Sequence, residues 1–248
     1  MTRSAVQSRP SAPESNSTPP ARFWSGRTVS VKASCRHLLY CIYMVTSPSI
    51  SYKKATQALN YFARKKDGKI NKMKAIKLIY FADRYHLRKY GRPVVGDMYW
   101  AMKFGPVGSH ALDVADLDKG VDQVCLKYAS GFIDHPKGDD KARTVASKKE
   151  VDLDVFSQTD IEALESVYKE FGGYDEFELA DIAHKYPEWS KFRKEIIDEG
   201  KKRVQMDYKD FFANPKGTAS DFFELPQEHL DITKAVFEEN QEAALFLR

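Results

Sequence analysis

Residues 71–93, NKMKAIKLIYFADRYHLRKYGRP, constrain the fold more than any other stretch of the chain. Asn71 offers a side-chain oxygen for a helix N-cap, and Met73, Ile76, Ile79, Tyr80, Leu87 and Tyr90 follow at spacings that line one helical face. Gly91 and Pro93 supply the residues that stop a helix. Asp83 nevertheless falls on the apolar stripe and His86 on its border. A buried charge persists only when it is paired and hydrogen-bonded, so Asp83 reads first as a carboxylate tied to Arg, Tyr or backbone donors. An acid three residues from an imidazole is also the orienting half of many general-base arrangements, which makes a catalytic role the sharper alternative.

A second amphipathic helix precedes this one, with Tyr52, Ala55, Leu59 and Phe62 spaced by three and four, and KKDGK ends it. Two such helices with a short link make an αα-hairpin. In MYWAMKFGPVGS the β-formers Tyr99 and Trp100 lead into a break at Gly105 and Pro106, and Ser109 is placed to cap a short helix through Leu112 and Leu117. Between residues 132 and 156, FIDH, the turn-rich PKGDDK, RTVAS and the alternation of Val151, Leu153 and Val155 predict a small antiparallel sheet. Ser157 and Asp160 fit a capping box ahead of the stripe Ile161, Leu164, Val167, Tyr168 and Phe171. DEFELADIAHKYPEWSKFRKEIID predicts a helix broken at Pro187 and resumed, and the tail offers two further short helices. The expected class is α+β, mainly α: a compact helical domain with a small antiparallel β element.

Residues 1–48 contain RPSAPESNSTPPAR and are rich in Ser, Pro, Arg and Thr, a composition that cannot bury enough apolar surface to offset the entropy of ordering it. Disorder is expected there, and Met44 is a plausible translation start just ahead of the first helix signal. Three cysteines without zinc spacing, Cys35, Cys41 and Cys125, fit a reducing cytoplasm. The apolar run ASCRHLLYCIYMV is interrupted by Arg36 and His37 and makes a poor signal peptide. No stretch reaches the ~18–20 apolar residues of a membrane span.

The charges segregate. Residues 51–92 hold thirteen basic and two acidic side chains, and residues 150–200 hold five basic and fifteen acidic ones. The basic helical hairpin followed by a β-hairpin imitates a winged helix-turn-helix, which makes a DNA-binding regulator one rival reading. The acidic segment is the counterweight, facing the basic one inside the molecule or across an interface. An unrecognised hydrolase or nuclease on Asp83, His86 and His110 is the other rival, although the chain has no nucleophile elbow, zinc-protease helix, P-loop or dinucleotide fingerprint. No cofactor is implied, and His110 and His184 share no metal-ligand spacing with His86.

The run KAIKLIYFADRYHLRKYGRPVVGDMYWAMKFGPVGS, with LADIAHKYPEW downstream, resembles the Panacea domain, or SocA-like antitoxin domain, of bacterial toxin–antitoxin loci and phage-associated genes. The resemblance covers roughly residues 52–193 and divides the chain into a 1–48 extension, a domain over 49–200 and a helical extension over 201–248. It implies a non-enzymatic, cytoplasmic antitoxin that neutralises a cognate protein toxin by direct contact. It also implies, in one branch, an adaptor that presents the toxin to a cytoplasmic protease. Asp83, Gly91, Pro93, Gly105, Pro106, His184, Pro187 and Trp189 are then structural motif residues. Tyr99, Trp100, Lys103 and Phe104 are the candidate partner contacts, with no metal, no membrane and nucleic acid disfavoured. Affinity would come from aromatic and Arg anchors, and encounter would be steered by the charge dipole.

Overall fold

A computed structural model describes residues 48–139, 142–215 and 221–246. The expected disordered segment up to residue 47 and the alternative start at Met44 lie outside the described residues. Helix α1 (Pro48–Lys65) turns through Asp67 and Gly68, both at positive φ, into a short strand β1 (Lys69–Asn71) and then helix α2 (Lys72–Tyr90). Asn71 caps α2 by accepting from the Lys74 N–H at 3.1 Å. Gly91 ends it at φ 71°, where its N–H reaches the Leu87 carbonyl at 2.8 Å.

Helix α2 is the axis of the molecule. From Lys74 to Arg88 every residue except Tyr85 is buried. Around it pack α1, α5 (Gln158–Phe171), α6 (Glu176–Ala183) and α8 (Gln227–Leu245). The helix is covered along most of its length, leaving Lys77 and Arg88 1% exposed and Asp83, Arg84 and His86 fully buried.

Two three-stranded antiparallel sheets flank the helices. One has the order β3 (Gly105–Gly108), β2 (Tyr99–Met102), β6 (Val204–Gln205), and the other β1, β5 (Thr144–Ser147), β4 (Ile133–Asp134). The second extends the sheet expected in the 132–156 region by β1, which pairs with β5 across some 75 residues through Ile70 and Val145. Val151, Leu153 and Val155 are not a strand. The Asp152 side chain accepts from the Asp154 N–H and turns the chain into a 3-10 helix, Leu153–Val155, a local bond that competes with strand pairing.

Helix α3 (Ser109–Asp116) is capped from a distance rather than by Ser109, whose hydroxyl accepts from Trp100 Nε1 at 2.9 Å. The Asp97 carboxylate takes the His110 and Ala111 N–H groups, each at 2.8 Å, and a Cβ on Gly108 would collide with it. Helix α4 (Gln123–Phe132) follows, and Pro187 opens the four-residue helix α7 (Pro187–Ser190) as its first residue. The capping box of Ser157 and Asp160 is present at α5.

Residues after 200 pack into the same core. β6 joins β2, the 3-10 turn Tyr208–Phe212 buries Phe211 and Phe212 against α2, and a single 19-residue α8 replaces the two short helices expected in the tail.

Candidate functional site

The polar residues of α2 each tie down a different segment. Asp83 accepts from the Val95 N–H at 2.7 Å, the Gly96 N–H at 3.1 Å and the Tyr99 hydroxyl at 3.0 Å, with the Tyr208 hydroxyl at 3.5 Å. Burial raises its pKa to about 6 against the opposing pull of these donors. His86 faces other partners: Nδ1 meets the Arg92 carbonyl at 2.6 Å, and Nε2 lies 3.0 Å from the Thr159 hydroxyl and 3.3 Å from Asp160. Burial and the neighbouring Arg92 lower its pKa to about 4. Asp83 and His86 share no hydrogen-bond partner, and His110 sits 3.2 Å from Asp97 instead. The three residues of the hydrolase rival therefore do not assemble into one constellation.

Arg84 forms an ion pair with Glu188 in which both side chains are fully buried, and its guanidinium lies 4.1 Å over the Tyr186 ring. Tyr80 donates to the same Glu188 at 2.6 Å. Arg88 donates to the carbonyls of Phe211, Ala213 and Phe223 at 2.6, 3.0 and 3.2 Å. These two arginines hold the C-terminal segment against the central helix.

Five of the thirteen basic side chains of 51–92 pair with four acids of 150–200. Lys54 and Arg92 both bridge to Asp160, Arg64 to Glu150, Lys65 to Glu165 and Arg84 to Glu188.

The GDMYWAMKFGPV segment forms the β2–β3 hairpin, and its four candidate contacts divide. Tyr99 and Ala101 point inward and Trp100 and Met102 outward, the period-two alternation of a strand. Tyr99, 2% exposed and bonded to Asp83, has no surface to offer a partner, which corrects its candidacy. Trp100 is half-buried under the Arg203 guanidinium, 4.5 Å from its ring. Lys103 and Phe104 stand at the exposed tip, Phe104 with 57% of its surface open. The hairpin is anchored from below by Trp189 Nε1, which donates to the Met102 carbonyl at 3.0 Å, and His184 stacks on Trp189 with ring centroids 3.7 Å apart. Gly105 adopts φ +95°, and a Cβ there would lie 3.6 Å from both Lys77 Nζ and the Ala180 backbone. Pro106 is buried in β3, and Pro93 is buried in the loop beyond Gly91.

Beside Phe104 opens a cleft of about 390 Å³ whose lining includes Lys72, Lys77, Arg143, Glu176 and Phe177. Phe177, 62% exposed, faces this space with Phe104. Lys77 Nζ has no hydrogen-bond partner among the described residues, and desolvation lowers its pKa to about 8, with Glu176 pulling the other way. Sequence reasoning missed Lys77, Arg143 and Phe177. Lys77 sits among apolar residues as a solvated lysine would, and the two phenylalanines are over seventy residues apart.

Residues 76–190, from α2 through α7, match the family described as Antitoxin SocA-like, Panacea domain. That stretch, 115 of the 248 residues, is similar to a Panacea domain. Nothing among curated proteins or solved structures matches the chain. The Panacea match contains Asp83, the β2–β3 hairpin, Lys77, Phe177 and the Arg84–Glu188 pair, while Arg88's partners at 211–223 lie beyond it. No helix among the described residues is long and apolar enough to cross a membrane.

Proposed function

We propose that the protein is the antitoxin of a bacterial toxin–antitoxin pair and acts in the cytoplasm, without enzymatic turnover, by covering a surface of its cognate toxin. The match to the SocA-like Panacea family carries this reading. The exposed tip of the β2–β3 hairpin supports it. Phe104 and Phe177 are large apolar side chains held in the open by a rigid base, the kind of residue that anchors a protein interface. The test is growth rescue: the product of the neighbouring reading frame is expressed alone and together with this chain. Restored growth and co-purification of the two products are the expected results. Rescue without a stable complex would overturn occlusion as the mechanism, and a neighbouring product that is harmless would remove the antitoxin reading.

A further inference from the structure

A buried amine facing an open cleft needs a physical reason. Lys77 lies 1% exposed on the central helix, and its Nζ finds no acceptor among the described residues although Glu176 is near. Glu176 is held by Asn71 Nδ2 at 2.9 Å, and Lys72 is paired with Asp116. His184 and Arg143 also lie on this side of the amine, and neither supplies a negative charge. Removing one partner of a buried pair leaves an uncompensated charge, and that is the state of this amine in the free protein.

We propose that this cleft receives one acidic side chain, an aspartate or glutamate presented by the partner polypeptide, with its carboxylate on Lys77 Nζ and its flanking apolar atoms between Phe104 and Phe177. Charge complementarity favours that occupant: of the charged groups lining the cleft, Lys72, Lys77 and Arg143 are basic and Glu176 is acidic. The cost of desolvating the amine is met on folding, so the incoming carboxylate gains its attraction without that penalty. The two phenyl rings exclude water around the pair and strengthen it. Gly105 borders the same device: its φ of +95° turns the hairpin tip, and a Cβ there would rest in ordinary contact with Lys77 Nζ at 3.6 Å. The partner's identity rests on the antitoxin reading, but the recognition chemistry does not.

The experiment uses the full chain with lysine side chains labelled for nitrogen NMR at low salt. Three probes are titrated: the blocked tripeptide acetyl-Leu-Glu-Leu-amide, its Gln counterpart, and free 3-phenylpropionate. The Glu peptide is expected to perturb the Lys77 ammonium, to raise its titration midpoint and to bind at least about tenfold more tightly than the Gln peptide. Lys77→Met is expected to erase that discrimination, and Phe104→Ala and Phe177→Ala, both at exposed positions, to weaken binding of the Glu peptide. Equal binding of the two peptides overturns the proposal, as does discrimination that survives Lys77→Met or absence of binding at about 20 mM peptide. Lys77-dependent binding of phenylpropionate without binding of the Glu peptide assigns the cleft to a small free acid and overturns the polypeptide occupant. Were Lys77→Met to misfold, the midpoint shift in the unmodified chain and the two Phe variants decide alone. Failed growth rescue would remove the antitoxin reading and leave these titrations unaffected.

Discussion

The Tyr99 hydroxyl on β2 donates a 3.0 Å hydrogen bond to the Asp83 carboxylate on α2, and both side chains lie in the core. The same carboxylate takes two backbone N–H groups of the loop between these elements, so one acid sets the angle at which the hairpin leaves the central helix. The position of Phe104 at the hairpin tip follows from that angle.

Asp83→Ala leaves the Val95 and Gly96 N–H groups and the Tyr99 hydroxyl without their acceptor. The expected loss is roughly 2–4 kcal/mol at pH 7.5, from the cost of orphaned buried donors. The pH dependence has a definite sign. A carboxyl whose folded pKa is raised to about 6 contributes stability that is fully present below its unfolded pKa and is lost as pH rises through 6. The variant's deficit therefore grows as pH falls from 7 to 4, by about 3 kcal/mol at the limit. Urea unfolding of both proteins across that range measures it, and a deficit that shrinks on acidification contradicts the assignment.

His86 titrates in the opposite sense. Its folded pKa near 4 lies below the ordinary 6.5, so the unfolded chain takes the proton first and wild-type stability falls between pH 6.5 and 4. His86→Gln is expected to flatten that part of the stability profile by up to about 3 kcal/mol relative to wild type, whatever its cost at neutral pH.

Arg88→Met removes the donor shared by the carbonyls of Phe211, Ala213 and Phe223. A cost of roughly 3 kcal/mol is expected, concentrated in the C-terminal segment. Hydrogen exchange reads the location: amides of residues 206–213 and of α8 should exchange faster, while those of α1 keep their protection. Uniform acceleration over the whole chain would mean that the segment does not open separately.

What the sequence discloses is what is local. Asn71 and the Ser157–Asp160 box cap the helices they precede because capping is settled within four residues, and Gly91 marks its helix end by the same logic. Partners far along the chain leave no such trace. β6 joins β2 across about a hundred residues, and Glu188 meets Arg84 at a similar separation. In α2, periodicity reports one apolar face and is silent on what covers the other. Tyr99 was legible in principle, since it shares with Ala101 the inward side of a strand whose outward positions are Trp100 and Met102.

Lys77→Met tests the strained amine directly. Met matches the lysine stem in length and carries no charge, so it fills the same path beneath Gly105 without an unpaired ammonium. The variant is expected to be about 1–3 kcal/mol more stable than wild type near neutral pH, an inversion of the usual outcome for a buried substitution. Its pH profile has a sign of its own. A lysine whose folded pKa is lowered to about 8 binds its proton later than the unfolded chain does, so wild-type stability falls as pH drops from about 10.5 to 8. The methionine variant lacks that fall, and its advantage therefore increases over the same interval and levels off below pH 8. Denaturant midpoints of the two proteins at pH 7, 8, 9 and 10 give the difference free of the other lysines and tyrosines, which titrate in both. A destabilised variant, or an advantage independent of pH, would show that the Lys77 amine is already paired in the free protein.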